Sequence, residues 1–416
     1  MNYTFLEQFI LLDALSSPFQ GMGRGHIASH FKIIEGFTDT KEALKDHPEK
    51  WRKSGLYTAY SQILFLLACC ARKSGLSISD LHDIFEQGSL SPEEWKGIFR
   101  YPDRITAAFV ERIIRPELPS EGVGGTAAVI YSVLLSLLAS KKESSSVEMA
   151  RRVLLFTTDP CSIVGSIIFE KLVRMSLNRV PNRFASEFTA VCQRCESAFD
   201  ELLPWVFENG IDPLLVEKSL SYYKKMALIL ESGEASESSI VSLAGSVTKN
   251  SITRATVDMP LAMISFSIYC VDKDRLNGSF FESMLRYGGN VQQLILLTGM
   301  LIADTTMLKE EFGNLTDDLV NKTKITAGIK EVASGRFTDK QFWEFFASER
   351  KLSQKCVEEL KSICKHGKKS KKPTKPKKTQ RMSIEEKLSQ HVVSSWTKMD
   401  KARYKKEKRH VSVEED

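Results

Sequence analysis

Apolar residues recur along this chain at three- and four-residue intervals, and short runs of Gly, Pro and Ser separate the periods. That spacing gathers the apolar side chains on one stripe of a helix. It predicts helices over Phe5–Leu15, Ser61–Ala71, Ile78–Phe85, Ile105–Ile114, Ala127–Ala139 and Val147–Phe156. Further periods predict Ile163–Met175, Ala185–Leu203, Leu214–Leu230, Leu261–Val271, Phe280–Arg286 and Val291–Ala303. Start signals accompany these periods. Ser77 stands three residues before Asp80, the spacing of a capping box, and Ser91-Pro92-Glu93-Glu94 places proline and acids in a first turn. Sustained two-residue alternation is scarce and no solenoid-length repeat is evident, so the expected fold class is all-α, a single helical body.

With 416 residues, 42% of them apolar, the chain can bury one large core or two modest ones. Charge divides it. Lys365–Asp416 holds 17 Lys and Arg against 7 Asp and Glu, out of 58 and 52 in all, which leaves a small acidic excess on the preceding residues. The expected organisation is a helical domain over 1–360 and a basic tail over 361–416. Within the tail, Lys365–Arg381 carries Pro373 and Pro376 and no apolar residue, a composition that predicts a disordered linker. Its lysines suit weak contact with a phosphate backbone or an anionic membrane, or serve as a solubilising extension. Ile384–Tyr404 is compatible with one short amphipathic helix bearing Leu388, Val392, Val393 and Trp396.

Several function classes recede on composition. The opening residues lack a basic stretch and Asp13 interrupts their apolar run, against a signal peptide. The longest apolar segment, Ala127–Ala139, is too short to span a bilayer, so no transmembrane segment is expected. The cysteines follow no disulfide spacing, and Cys192 and Cys195, the one C-x-x-C, have no second ligand pair. Structural thiols in a reducing cytoplasm are the expectation. No histidine lies between His82 and His366, and no nucleophile elbow is visible, which disfavours Ser-His-Asp hydrolysis. Gly21-Met22-Gly23-Arg24-Gly25 fits no phosphate-loop spacing and reads as a loop; His26 and His30 after it would share one helical face.

Four segments carry the remaining signal: LLDALSSPFQG at 11–21, WRKSGLYTAYSQ at 51–62, Gly122–Ala128 followed by FTTDP at 156–160, and RYGGNVQQLILLTGMLIA at 286–303. In this order and spacing they resemble the ADP-ribosylglycohydrolase (dinitrogenase-reductase-activating glycohydrolase-like) family. In the first segment Asp13, Ala14, Leu15, Pro18 and Gly21 match, while Gln20 stands in place of an acid. In the second, Trp51, Gly55, Tyr57, Thr58 and Gln62 match, but Ala59 and Tyr60 replace two aspartates and Ser61 a threonine. Thr157 replaces a histidine in the third. In the fourth, Asn290 and Gln292, followed by Gln293, replace the acids of a D-T-D-T run.

The resemblance implies two magnesium ions held by the second and fourth segments, gripping the ribose diol of ADP-ribose and aiming water at the anomeric carbon. Magnesium demands oxygen ligands in near-octahedral geometry, with carboxylates balancing its charge. Ala59 offers no ligand, Tyr60 is neutral and bulky, and the amides of Asn290 and Gln292 cancel no charge. Only Asp13 and Asp159 keep a carboxylate among the matched positions, and neither lies in a metal run. The expected metal set is none, with no cofactor. The acids at Thr38-Asp39-Thr40, Asp304-Thr305-Thr306 and Thr316-Asp317-Asp318 read as caps or loop acids.

The pocket candidates are therefore Asp13, Gln20, Thr58, Ala59, Tyr60, Ser61, Asn290, Gln292 and Gln293. Asp13 is either a buried, hydrogen-bonded remnant or a ligand. The amides are either helix-end partners of free backbone N–H groups or a metal-free pocket for an adenosine, ribose or pyrophosphate group. Three functional readings follow. The first is a family protein without dimetal hydrolysis, binding an ADP-ribose-like ligand or an ADP-ribosylated protein through the retained cleft. The second is an active hydrolase rebuilt around Asp13, Tyr60 and the amides. The third is a scaffold with a phosphate-binding tail.

Overall fold

A computed structural model describes residues 3–369, except 33, 35, 72–75, 89, 121, 123, 179–180, 237, 241–258, 275–279, 286 and 303–314. Its helices are α1 (Tyr3–Ser16), α2 (Arg24–His30), α3 (Ala59–Cys70), α4 (Ile78–Glu86), α5 (Pro92–Ile98), α6 (Arg104–Ile114), α7 (Thr126–Ala139), α8 (Ser146–Leu154) and α9 (Pro160–Asn178). They continue with α10 (Phe184–Ser197), α11 (Phe199–Glu208), α12 (Pro213–Ser232), α13 (Pro260–Asp274), α14 (Phe280–Leu285), α15 (Val291–Ile302), α16 (Lys322–Ser334) and α17 (Asp339–Lys369). No strand occurs among the described residues, so the all-α reading holds. No described helix is long and apolar enough to cross a membrane.

The chain divides into two units, Met1–Lys365 and His366–Asp416. Of the segment Lys365–Arg381, residues up to Lys369 close α17; the remainder, with Ile384–Tyr404, lies outside the described residues. Asp304-Thr305-Thr306 lies outside them as well.

Every predicted helix is present, but the span Ala185–Leu203 is two helices. Ala198 donates its N–H to the Cys195 carbonyl at 3.1 Å, a tighter bond than the α-helical ladder, and Asp200 and Glu201 open a new first turn. The loop expected at 21–25 gives way to α2 from Arg24 onward. Helices α16 and α17 lie beyond the predicted spans because their apolar residues are diluted by charged ones. The capping boxes at Ser77–Asp80 and Ser91–Glu94 form in full, with a third at Ser145–Glu148.

Helices apolar on all sides belong in a protein's interior, and α1, α7 and α15 fill the middle of this one: every residue of α15 is buried. A ladder of small polar groups sets α7 parallel to α9. Gly125 N–H donates to Ser162 Oγ at 3.2 Å, Ser132 Oγ to Ser166 Oγ at 3.0 Å and Ser136 Oγ to Glu170 Oε1 at 2.9 Å. Helix α1 lies directly on α15, and Gly299 permits the approach, since a Cβ there would stand 2.2 Å from Leu12 Cδ1. Asp13, the next residue of α1, meets the start of α15, where Gln292 Nε2 donates to it at 2.6 Å.

Candidate functional site

The nine candidate residues converge. Helix α1 ends, and α3 and α15 begin, at the same place, and their polar groups are wired together there. Asp13, fully buried, sits at the centre. Its Oδ2 accepts from Thr58 N at 2.9 Å, Ser61 N at 3.1 Å and Ser61 Oγ at 2.6 Å. Its Oδ1 accepts from Thr58 Oγ1 at 2.8 Å and Gln292 Nε2 at 2.6 Å. A carboxylate receiving backbone N–H groups at a helix start satisfies donors that have no intrahelical partner and complements the positive end of the helix dipole. Asp13 thus caps α3 from a neighbouring helix. Both of its oxygens are engaged in hydrogen bonds.

Asp159 and Asp103 do similar work. Asp159 Oδ2 accepts from Ser162 N and Oγ, both at 2.7 Å, and so caps α9. Gly124 packs so tightly on this carboxylate that a Cβ would lie 2.2 Å from Oδ2. Asp103 Oδ1 accepts from Thr106 N at 2.7 Å at the start of α6. Asp103 also reaches the candidate cluster, where sequence reading missed it. Tyr60 donates its hydroxyl to Asp103 Oδ2, and Gln293 Nε2 donates to the Tyr60 hydroxyl at 2.8 Å and to Asp103 at 3.3 Å. Burial, then the charge of Asp103, pushes the Tyr60 phenol well above its ordinary pKa, so it stays a neutral donor. Gln293 Oε1 is buried without a hydrogen-bond partner.

A cation also enters. Arg52, read from sequence only as part of the second segment, donates Nη1–H to Gln292 Oε1 at 2.9 Å, and its guanidinium lies over the Tyr101 ring at 5.1 Å. Burial draws its pKa down, while Tyr101, Asp13, Tyr60 and Asp103 draw it back up. An arginine so placed remains charged. Gln292 bridges the pair, accepting a hydrogen bond from Arg52 and donating one to Asp13. Tyr101, with φ +50°, is one of two non-glycine residues with positive φ among those described. Such conformations cost free energy and collect at functional sites.

At the start of α15 the amides bond to one another and to the backbone. The N–H of Gln292 is satisfied by Gln20 Oε1 at 3.1 Å, while Gln20 Nε2 donates to Asn290 Oδ1 at 2.8 Å. The Gly288-Gly289 turn locks this rim. Gly21 N donates to Gly289 O at 2.7 Å and Gly289 N to Met22 O at 2.6 Å. Gly288 has φ +64°, and a Cβ there would meet Arg24 N at 2.6 Å. Ala59 contributes only backbone, its N–H donating to Arg100 O at 2.8 Å. Thr58, Ala59, Tyr60, Ser61, Gln292 and Gln293 are buried, whereas Gln20, Arg52, Tyr101, Asp103 and Asn290 are half-buried and form the rim.

The donor set does not fit a pair of magnesium ions. Asp13 has both oxygens engaged by Thr58, Ser61 and Gln292, the other ligand positions carry no carboxylate, and a guanidinium already stands among them. Among the described residues no group of three or more His, Cys, Asp or Glu side chains is arranged to hold a metal ion.

Behind this cluster lies a second polar network that sequence reading missed entirely. Glu349, fully buried on α17, forms an ion pair with Arg100 at 2.6 Å. It also accepts from Tyr57 Oη at 2.5 Å, Gln62 Nε2 at 2.9 Å and Asn321 Nδ2 at 3.2 Å. Arg100 returns to the second segment by donating Nε–H to Tyr57 O at 3.1 Å. The segment containing Tyr57–Gln62 is thus held from both sides, by Asp13 and by Glu349.

Other candidates fall elsewhere. The His26 and His30 rings stack at 4.3 Å, with His26 Nε2 2.8 Å from Ala43 O. Asp317 pairs with Lys322, and Asp39 accepts from Trp51 Nε1 at 2.9 Å. Cys192 and Cys195 face the interior, and burial pushes the Cys195 thiol up to about 11 and Cys192 higher still, against thiolate chemistry.

No family model matches the sequence, and no curated protein matches it. The structure is similar to a solved structure described as an "ADP-ribosylglycohydrolase-related protein complex", with a TM-score of 0.51 and 13% identity, over 80% of this chain and 96% of that one. At that identity the likeness speaks to the fold. The fold of this chain is the all-α ADP-ribosylglycohydrolase-like fold.

Proposed function

We propose that this chain is a non-hydrolytic ADP-ribosylglycohydrolase-like protein that works by binding. The bridge Asp13–Gln292–Arg52 carries the reading. Where the fold relatives implied by the sequence resemblance would hold two cations, this chain supplies one positive charge of its own and uses its surviving carboxylate as a helix cap. A guanidinium polarises no water for attack, so metal-assisted hydrolysis is absent. The cluster has instead become a rigid polar floor.

The half-buried rim suits an ADP-ribose-like ligand or the ADP-ribosyl group of a modified protein. Arg52 uses one N–H on Gln292 among the described residues, and a guanidinium has five, in a fork that matches phosphate oxygens. Gln20 and Asn290 add amides that can meet hydroxyls.

Calorimetric titration of ADP-ribose into the purified protein, with magnesium and again with EDTA, tests this. Binding indifferent to EDTA and weakened about tenfold or more by Arg52→Met is the expected result. Binding that requires magnesium would mean a rebuilt metal site, and absence of binding in both buffers would remove the ligand reading.

A further inference from the structure

Tyr101 holds a backbone conformation that its local sequence opposes. Its φ of +50° lies in the left-handed region, which side chains with a Cβ avoid. Pro102 follows, and the residue before a proline is steered toward extended conformations. The position is held from both sides. Arg100 is fixed by its N–H on Gln62 Oε1 at 2.8 Å, by its carbonyl, which accepts from Ala59 N at 2.8 Å, and by its ion pair with Glu349 at 2.6 Å. Two residues beyond Tyr101, Asp103 caps α6. Strain of this kind persists only where the surroundings impose it, and it points to a use for the side chain so placed.

That side chain lies against Arg52. The Tyr101 ring faces the guanidinium at 5.1 Å, and Gln292 Oε1 takes one of its five N–H groups. The other N–H groups are unspent, and Arg52 forms no direct ion pair with a described residue. The acids around it are engaged elsewhere. Asp13 accepts from Thr58, Ser61 and Gln292, and Asp103 from Thr106, Tyr60 and Gln293. A guanidinium laid on a ring and tied by one amide has its plane fixed, and its free edges match the oxygens of a diphosphate two at a time. We propose that Tyr101 is the positioning residue of a diphosphate clamp. It acts through Arg52, keeping the guanidinium plane turned to the ligand. This rests on the ADP-ribose reading and names the group of that ligand which is recognised, the diphosphate.

Calorimetric titration of ADP-ribose, in EDTA, into the full-length protein and its variants tests the role, with circular dichroism confirming that each variant folds. Tyr101→Phe keeps the ring and should bind as the wild type does. Tyr101→Ala and Tyr101→Leu lose the aromatic face and should bind about tenfold more weakly. On an Arg52→Met background the same substitutions should cost nothing further, because Tyr101 acts only through that cation. Tyr101→Gly should bind as weakly as Tyr101→Ala yet melt at a higher temperature, because glycine accepts the positive φ. A purely structural role would move affinity and stability together. Inorganic pyrophosphate should displace ADP-ribose from the wild type. Wild-type affinity in Tyr101→Ala and Tyr101→Leu, losses that add to that of Arg52→Met, a glycine variant that melts no higher than the alanine one, or no displacement by pyrophosphate overturns the proposal while ADP-ribose binding stands. Absence of ADP-ribose binding by the wild type removes the reading of the site, and the clamp with it.

Discussion

Arg52 donates to Gln292 Oε1 at 2.9 Å, and the amide of the same glutamine donates to Asp13 at 2.6 Å. One side chain thereby couples a buried carboxylate to a cation that lies 240 residues from that glutamine in sequence. The arrangement joins a buried acid to a half-buried cation through an amide, and its stability depends on all three members.

Asp13→Asn is the first test of that dependence. The carboxylate accepts five hydrogen bonds, two of them from backbone N–H groups at the start of α3. An amide in its place turns an NH₂ toward donors and leaves Asp103 as the acid whose charge still bears on Arg52. Urea denaturation should show a loss of about 2–4 kcal/mol. An unchanged midpoint would mean that the cap contributes nothing.

Arg52→Met tests the other end of the bridge. Alone it should destabilise by about 1–3 kcal/mol, from an uncompensated buried acid. Combined with Asp13→Asn the two losses should not add, with a coupling of about 0.5–3 kcal/mol in a double-mutant cycle. Strict additivity would show that the residues do not communicate through Gln292.

Glu349→Gln removes the partner of Arg100 and the acceptor for Tyr57. Breaking one side of a buried ion pair costs about 3–5 kcal/mol, and thermal unfolding should shift downward by many degrees. A negligible shift would indicate that α17 is not anchored through this network.

Alkaline pH supplies an independent probe. Burial first, with added pressure from neighbouring charges, holds the phenols of Tyr57, Tyr60, Tyr131 and Tyr223 well above their ordinary value of 10.0. In the unfolded chain they ionise near that value, so the unfolded state loses protons that the native state keeps. Their contribution to stability is therefore complete below pH 10 and falls as pH rises beyond it, by about 1.4 kcal/mol per pH unit for each phenol. Tyrosinate absorbance and loss of helical circular dichroism should rise together, and Tyr60→Phe should flatten the slope. Tyrosinate signal from these residues well before unfolding would contradict their burial.

The helices were legible because apolar spacing at three and four residues reports the buried stripe directly, and the Ser77 and Ser91 caps mark where helices begin. The nine candidate positions were legible through a resemblance of segments, and they do meet. Arg52 was hidden in plain view: in WRKSG it reads as one of two solvated cations, and nothing local says that it turns inward to Gln292. Asp103 caps α6, and its second role depends on Tyr60 arriving from α3. Glu349 had a usable signal. It lies three, four and seven residues from Phe346, Phe345 and Phe342, and four and seven from Ser353 and Cys356, all buried, so an acid on that stripe demands a partner. Its partner, Arg100, follows α5 across a distance that only tertiary packing closes.

Turnover is the most direct test of the central claim. The purified full-length chain, given magnesium and an ADP-ribosylated protein or peptide, should release no ADP-ribose above the level seen in EDTA, while remaining folded by circular dichroism. Sustained magnesium-dependent release, abolished by Asp13→Ala, would contradict a centre in which Arg52 and a capped Asp13 stand where a dimetal site would need open carboxylates.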